Sequence, residues 1–171
     1  GSKKVIFYIK NYRNIDYYRC KQCDFVFTNS ISINYSELSW TNTVDPDGVI
    51  RNLVNERQFK LKNWYGGISS IIKKRSPGKI IDIGAGLGFL LSDIPNTWEK
   101  HGIELSKFAR SYIKKNNSIK LIDDLILDKK SPSENYLNAY DVVVCYHVIE
   151  HIKNPDLFFK HLTMLVKPNG I

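Results

Sequence analysis

The spacing of hydrophobic and polar residues divides the chain into two regions. Between about positions 3 and 29, short aromatic and β-branched runs alternate with polar breaks, and this pattern predicts a small antiparallel β segment. A polar stretch follows and closes on the turn signal DPDG at 45–48. Apolar residues then recur at helical spacing across Ile50–Lys74, which predicts an amphipathic helix that ends before Pro77.

Beyond Gly78 the pattern changes to alternating strands and helices. Apolar runs predict strands at KIIDIG, EKHGIEL, IKLID and YDVVVCY, and the last is apolar throughout, as in strands covered on both faces. Helices are predicted at FLLSDI, at SKFARSYIKKN with Ser106 as its N-cap, and at DLFFKHLTMLV, after which KPNGI turns into a fifth strand. This alternation predicts an α/β fold with a parallel, right-handed sheet. We therefore expect two parts, a β-rich segment at 1–48 and an α/β domain at 49–171.

The turn after the first strand of this sheet is rich in glycine. Gly84, Gly86 and Gly88 lie between that strand and the next helix, where a residue without Cβ lets the backbone approach a ligand closely. Glu104 ends the next strand, about 20 residues further on, where a carboxylate can accept both hydroxyl groups of a ribose. The combination predicts an adenosine-bearing ligand, and glycines that only shape the turn are the simpler alternative.

Two features argue against a nicotinamide or flavin dinucleotide. The fingerprint for those cofactors is G-x-G-x-x-G/A, whereas this loop has G-x-G-x-G followed by the bulky Phe89. Asp82, just before the loop, would repel a pyrophosphate. A carboxylate at this position suits the ammonium group of a methionine moiety instead.

Three segments together resemble, in order and spacing, the motifs of class I S-adenosylmethionine-dependent methyltransferases of the small-molecule type: IIDIGAGLGFLL, HGIELSKFA and YDVVVCYHVIEHIKNPDLFFKHLTMLVKPNGI. The resemblance covers about Ile50–Ile171. It implies a Rossmann-like fold, S-adenosylmethionine as the cofactor and S-adenosylhomocysteine as the product. It also implies a domain that is incomplete at its C-terminal end, because the family usually carries further strands after the fifth.

The resemblance further implies which residues surround the cofactor. Those near its methionine and ribose parts are Asp82, Gly84, Ala85, Gly86, Gly88, Glu104 and Leu105. Asp124 and Leu125 match the adenine-binding position, and Asp123 is a near-equal candidate because one sequence does not fix that register. Cys145 and Tyr146, after the fourth strand, would line the sulfonium side of the pocket together with the histidine that follows.

That histidine begins a cluster of ionisable residues in YHVIEHI. His147, Glu150 and His151 would share one face if this stretch were helical. A catalytic interpretation is that the cluster removes a proton from the methyl acceptor, since histidine titrates near neutral pH. The alternative is that it shapes the pocket floor. The string also matches the zinc motif H-x-x-E-H, but that motif needs a longer helix and a further ligand.

A cysteine pair, Cys20 and Cys23, lies in the N-terminal segment. The run YYRCKQCDFVFTN looks like the second half of the zinc ribbon that precedes the methyltransferase domain in one subset of the family, notably its sugar-modifying members. A ribbon needs four ligands, and this sequence has neither another cysteine pair nor a histidine before Cys20. We therefore expect a ribbon remnant that holds no metal.

The net charge of +8 raises the question of a nucleic-acid partner. The lysines and arginines are scattered in short groups, which is typical of a solvated surface, so nucleic acid is not the expected partner. No apolar run is long enough for a membrane span, and we expect a cytoplasmic protein. The sequence predicts an enzyme that methylates a small-molecule acceptor such as a sugar or related metabolite. A non-catalytic cofactor-binding module and an RNA methyltransferase are the alternatives.

Overall fold

A computed structural model describes most of the chain in several segments. They are residues 5–12, 15–28, 40, 43–44, 50–56, 58, 66–115, 118–123, 127 and 130–171. The chain divides into two compact units, Gly1–Asn34 and Tyr35–Ile171. The predicted domain boundary at 48/49 lies outside the described residues and stays a prediction. None of the described helices is long and apolar enough to span a lipid bilayer.

The first unit contains a three-stranded antiparallel sheet in the order β1-β2-β3. Its strands are β1 (Val5–Tyr12), β2 (Ile15–Cys20) and β3 (Val26–Thr28). Phe7 lies opposite Tyr18, which in turn lies opposite Phe27, and the ring centroids are 4.7 Å and 5.9 Å apart. Such cross-strand aromatic pairs stabilise a small sheet. The predicted antiparallel segment is confirmed.

The second unit begins differently from the single helix predicted over Ile50–Lys74. Ile50–Arg51 forms strand β5, which pairs antiparallel with strand β4 at Thr43–Val44. Residues 53–56 are helical, and helix α1 spans Gly66–Lys73. The helix prediction is therefore wrong at its start, because apolar spacing alone does not separate a short strand from the first turn of a helix.

A four-stranded parallel sheet in the order β8-β7-β6-β9 forms the centre of this unit. Its strands are β6 (Lys79–Ile83), β7 (Glu99–Ile103), β8 (Ile119–Leu121) and β9 (Val142–Cys145). Helices α2 (Phe89–Asp93), α3 (Lys107–Ile113) and α4 (Pro155–Leu165) alternate with the strands. The α/β fold, its parallel sheet and the four strands are confirmed. Since strand order reverses between β6 and β9, ligands are expected at the carboxyl ends of these strands.

The chain also begins to extend this sheet beside β9. The Val143 amide donates to the carbonyl oxygen of Ile171 at 2.8 Å, and the Ile171 amide donates to that of Asp141 at 3.0 Å. These are ladder bonds of the parallel kind. They lie where the sequence predicts a fifth strand.

The hydrophobic core lies on both faces of the sheet. Ile80 belongs to a cluster on one face, and Ile81 and Ile83 belong to a cluster on the other. Ile80 and Ile81 have no exposed surface. Because side chains alternate along a strand, Asp82 lies on the same face as Ile80. The alternation therefore places a carboxyl group inside the apolar core, directly before the glycine turn.

Candidate active site

The glycine turn crosses the carboxyl ends of β6 and β7. Gly84, Gly86 and Gly88 have φ angles of 75°, 56° and 75°, in the left-handed region that residues with a Cβ seldom occupy. The amides of Gly84 and Ala85 both donate to the carbonyl oxygen of Ile103 at 2.9 Å. The turn is thus fixed to the end of the neighbouring strand, as the predicted ligand-binding loop requires.

Two of these glycines are needed for different reasons. A Cβ on Gly84 would lie 2.4 Å from Cγ2 of Val148, in the segment after β9. A Cβ on Gly88 would lie 2.9 Å from Cγ1 of Ile113, at the end of α3. Gly84 therefore lets the turn pass under the segment after β9. Gly88 permits close packing against the core, and its predicted contact with the cofactor stays a prediction.

Glu104, at the tip of β7, binds the glycine turn through its carboxylate. Oε2 accepts from the Gly86 amide at 2.8 Å, and Oε1 accepts from the amides of Leu105 and Ser106, each at 2.7 Å. A carboxylate has about four acceptor positions, so three are used by backbone donors. About one acceptor position is left. A ribose that donates both hydroxyl groups to this carboxylate would therefore have to displace a backbone amide or share its acceptor oxygen. The Leu105 side chain is 78% exposed.

Asp82 is the most perturbed acid near the turn. Its side chain is 5% exposed and has no hydrogen-bond partner among the described residues. Burial, followed by the neighbouring charge of Glu104, raises its pKa to about 8. An isolated carboxylate is costly inside a protein, and a cationic group beside it would remove much of that cost. The site therefore fits the ammonium group of S-adenosylmethionine.

Cys145 and Tyr146 continue the site along β9. Cys145 lies opposite Ile83 in the ladder between β6 and β9, which places its half-buried thiol near the start of the glycine turn. Burial, with the charges of Asp82 and Glu150, raises the pKa of this thiol to about 11. At neutral pH the thiol is therefore protonated and not in its nucleophilic thiolate form, and its predicted contact with the cofactor stays a prediction.

The cluster after β9 is not on an α-helix. His147 has a φ of 54°, and only Ile149–His151 form a single 3₁₀ turn, so the shared helical face considered from the sequence is absent. The turn nevertheless places Nδ1 of His147 3.2 Å from Oε1 of Glu150. Both side chains are accessible, at 61% and 45% exposure. His151 is also exposed. Nowhere in the described residues do three potential metal ligands meet.

The predicted adenine end is described in part. Asp123 follows β8, and its Oδ1 accepts a hydrogen bond from the guanidinium of Arg110 on α3. Asp124 and Leu125 lie outside the described residues, so the alternative between the two aspartates stays open. No pattern in the sequence indicated Arg110, because its role depends on a strand that follows it in the chain.

Ser106 connects the site to a residue from well before the sheet. Its hydroxyl caps α3 by accepting from the Ala109 amide at 3.2 Å, which confirms the predicted N-cap. The same oxygen accepts from Nε1 of Trp40 at 2.9 Å. The Trp40 ring is buried in a cluster with Leu87 of the glycine turn. Sequence reasoning missed Trp40, since a lone tryptophan in a polar stretch gives no periodic signal.

The cysteine pair lies in a tight turn of the first unit. The Cys20 amide donates to the carbonyl oxygen of Phe25 at 2.9 Å, and the Asp24 amide donates to that of Cys20 at 2.9 Å. Cys20 is buried and Cys23 is exposed. The interpretation as a zinc-ribbon remnant stays a prediction.

Comparison with known proteins identifies the family and supports the fold. The family described as methyltransferase domain matches residues 81–171, more than half of the chain. The chain therefore belongs to this family, as a class I S-adenosylmethionine-dependent methyltransferase domain. It is 28% identical over 162 residues to the ubiquinone biosynthesis O-methyltransferase of Rickettsia bellii, across 82% of this chain and 61% of that protein. The chain thus spans about three fifths of that relative's length.

Solved structures share the fold at low sequence identity. A putative S-adenosyl-L-methionine-dependent methyltransferase from Methanococcus maripaludis superposes with a TM-score of 0.56 and 17% identity, over 82% of this chain and 65% of that one. The trans-methyltransferase CalH in complex with S-adenosylhomocysteine gives a TM-score of 0.55 and 18% identity, over 70% of this chain and 38% of that one. These similarities support the Rossmann-like fold.

Proposed function

We propose that this domain binds S-adenosylmethionine and transfers its methyl group to an oxygen atom of a small acceptor. The observation that carries the proposal is the pair of acids at the glycine turn. Asp82 is almost fully buried without a partner among the described residues, and Glu104 is fixed by three backbone amides beside it. Asp82, just before the glycine turn, fits an ammonium group, and Glu104, which accepts from the Gly86 amide of that turn, fits a ribose. The curated relatives' name, O-methyltransferase, favours oxygen.

Each acid has a separate task in this proposal. Asp82 would hold the ammonium group of the methionine part, and Glu104 would accept the ribose hydroxyls, with Asp123 at the adenine end and Asp124 as the alternative. The bound cofactor supplies an activated methyl group on a cationic sulfur. The chain's own residues hold it in one orientation, so that an acceptor approaches in line with the departing sulfur.

His147 and Glu150 are the best placed to remove the acceptor's proton. A carboxylate only accepts hydrogen bonds, so contact with Glu150 favours the histidine tautomer with its proton on Nδ1. That tautomer carries its lone pair on Nε2, which can then act as a general base. The assignment rests on the contact between Nδ1 of His147 and Oε1 of Glu150, and His151 stays a candidate of the same cluster.

The class of acceptor is inferred from the N-terminal segment and from the names of the relatives. The N-terminal cysteine segment resembles sugar-modifying members of the family, whereas the relatives are named for ubiquinone biosynthesis. Both point to a hydroxyl group on a small molecule. RNA and a purely cofactor-binding role remain the alternatives, and no cluster of basic residues at the described site favours RNA.

Replacing Glu104 with glutamine is expected to weaken the binding of S-adenosylhomocysteine by about 10- to 100-fold. The amide keeps the size of the side chain but loses the charge that strengthens hydrogen bonds to the ribose hydroxyls, and its NH2 group cannot accept from the backbone amides that hold the glycine turn. Isothermal titration calorimetry with the wild-type chain and the variant measures the difference.

Glu99→Gln is the matched control, since it removes the same charge from the opposite end of the same strand, where the side chain is 58% exposed. It should leave the affinity unchanged. If the folded wild-type chain does not bind S-adenosylhomocysteine, or if Glu104→Gln binds it equally well, the proposed function is wrong.

Replacing His147 with glutamine is expected to lower kcat by about 100-fold while the affinity for S-adenosylhomocysteine stays the same. Glutamine cannot take up the acceptor's proton. The release of S-adenosylhomocysteine should be measured with a panel of phenols, catechols and simple sugars, after the wild type has identified an acceptor. An unchanged kcat would show that alignment alone drives the transfer, and that the cluster only shapes the pocket.

A further inference from the structure

The carboxyl ends of β7 and β8 separate just where the adenosine site begins. Gly102 lies opposite Leu121 in the ladder, and the Ile122 amide donates to the Gly102 carbonyl oxygen at 2.9 Å. Beyond this bond the two strands end, and each continues to an acid, Glu104 on one side and Asp123 on the other. Backbone pairing therefore cannot fix the distance between the two acids.

Arg110 bridges this gap. One guanidinium nitrogen, Nη1, donates to the backbone carbonyl oxygen of Glu104 at 3.0 Å, and Nη2 donates to Oδ1 of Asp123. The residue is anchored one turn after the N-cap of α3, where its amide donates to the carbonyl oxygen of Ser106 at 3.0 Å. A single side chain thus joins the ribose acid, through its backbone, to the acid at the adenine end.

The chemistry of the bridge favours a positioning role. The Arg110 side chain is 21% exposed, whereas that of Asp123 is 73% exposed. An aspartate so exposed would sample several orientations if nothing held it. The planar guanidinium offers donors in a fixed fork, so it holds one carboxylate oxygen in place while reaching a second acceptor. The other oxygen of Asp123 has no partner among the described residues.

We propose that Arg110 sets the selectivity of the site for adenine by holding Asp123 ready to accept a hydrogen bond from the exocyclic amine of the base. This inference rests on the proposed function. It makes Arg110 a positioning residue, since it acts through Asp123 and need not touch the cofactor. It also selects Asp123, rather than Asp124, as the acid that recognises the base.

The test compares two ligands that differ at that amine and at the adjacent ring nitrogen N1, which carries a proton in the inosyl compound. S-adenosylhomocysteine carries the amine, whereas S-inosylhomocysteine carries a carbonyl oxygen that cannot donate to a carboxylate. The wild type should bind the first about tenfold more tightly than the second. In Arg110→Gln this preference should fall to about twofold, mainly through weaker binding of S-adenosylhomocysteine.

Two further variants make the test specific. Asp123→Asn changes an exposed side chain, so the fold is preserved, and its amide can donate to the carbonyl oxygen; the preference should then disappear or reverse. Lys114→Gln removes one positive charge from the exposed end of the same helix region and should leave the preference at its wild-type value. Thermal unfolding shows that each variant is folded.

The outcomes distinguish a failure of the proposed function from a failure of the inference about Arg110. If the folded wild type binds neither ligand, the proposed function fails, and this inference fails with it. If the wild type prefers S-adenosylhomocysteine but Arg110→Gln and Asp123→Asn keep the same preference, the inference is overturned while the function stands. Equal weakening of both ligands by Arg110→Gln also overturns it, because that result indicates a merely structural bridge.

Discussion

Replacing Asp82 with asparagine is expected to stabilise the fold at alkaline pH and, at the same time, to weaken cofactor binding. In the wild type, burial raises the pKa of this carboxyl group to about 8, well above that of an ordinary aspartate. Ionising it in the folded state therefore costs on the order of several kcal/mol. Asparagine never ionises and avoids this cost.

The sign of the pH dependence follows from the two protonation states. Below about pH 4 the carboxyl group is neutral in both the folded and the unfolded chain. Between that value and about pH 8 the unfolded chain loses its proton while the folded chain keeps it, so the stability of the wild type falls as pH rises. Above about pH 8 the decrease is complete. The contribution of residue 82 to this decrease is absent from Asp82→Asn.

Urea unfolding of both proteins at pH 5 and pH 8.5 measures the effect, because these values span most of this range. The quantity compared between the wild type and the variant is the change in the free energy of unfolding from one pH to the other. Asp93→Asn is the control, since the hydrogen bond from Lys73 lowers the pKa of Asp93, so this carboxylate is ionised in the folded and the unfolded chain at both pH values and its removal should leave the change in stability between them as in the wild type. Parallel pH curves for the wild type and Asp82→Asn would contradict the raised pKa. Calorimetry should also show that the wild type, unlike the variant, releases a proton at pH 7 when S-adenosylhomocysteine binds.

Replacing Gly84 with alanine is expected to cost about 2–5 kcal/mol of stability and to abolish cofactor binding. The backbone there has a φ of 75°, which is unfavourable for any residue with a Cβ. The added carbon would also lie 2.4 Å from Cγ2 of Val148, so that either the turn or the segment after β9 must move. Both parts belong to the proposed site.

A second substitution separates the two causes. Val148→Ala removes the clashing methyl group, so the double variant should recover the steric part of the loss and keep the backbone part. Gly67→Ala is the matched control, because no heavy atom lies within 4 Å of its Cβ position and alanine favours a helix. Thermal unfolding and calorimetry measure all four proteins. A Gly84→Ala variant as stable as the wild type would show that the turn tolerates a side chain.

The central sheet could be predicted because its strands repeat one simple pattern. Each is a short apolar run between polar turns, and every such run from Lys79 to Cys145 became a parallel strand in the structure. The glycine turn and Glu104 were also predictable, since they are fixed by their position relative to those strands. Local sequence was sufficient to predict residues whose position is set by the strand or turn that contains them.

The parts that could not be predicted depend on contacts between distant positions. Ile50–Arg51 pairs with Thr43–Val44, a preference that helical spacing does not reveal. Arg110 meets Asp123 only because α3 packs beside β8, and Val148 limits Gly84 only because β9 lies next to β6. In the His147 cluster, one left-handed residue ended the helical geometry that the spacing suggested.

The hydroxyl group of Ser106 has a consequence for how this protein can be divided or recombined. The hydroxyl group joins Trp40 to the start of α3, and the backbone amide of Ser106 joins α3 to Glu104. A module excised at position 49 would therefore lose a buried aromatic ring that packs against Leu87 of the glycine turn. Grafting experiments and chimeras should keep the tryptophan with the domain that follows it, since the working unit begins before the first strand of the sheet.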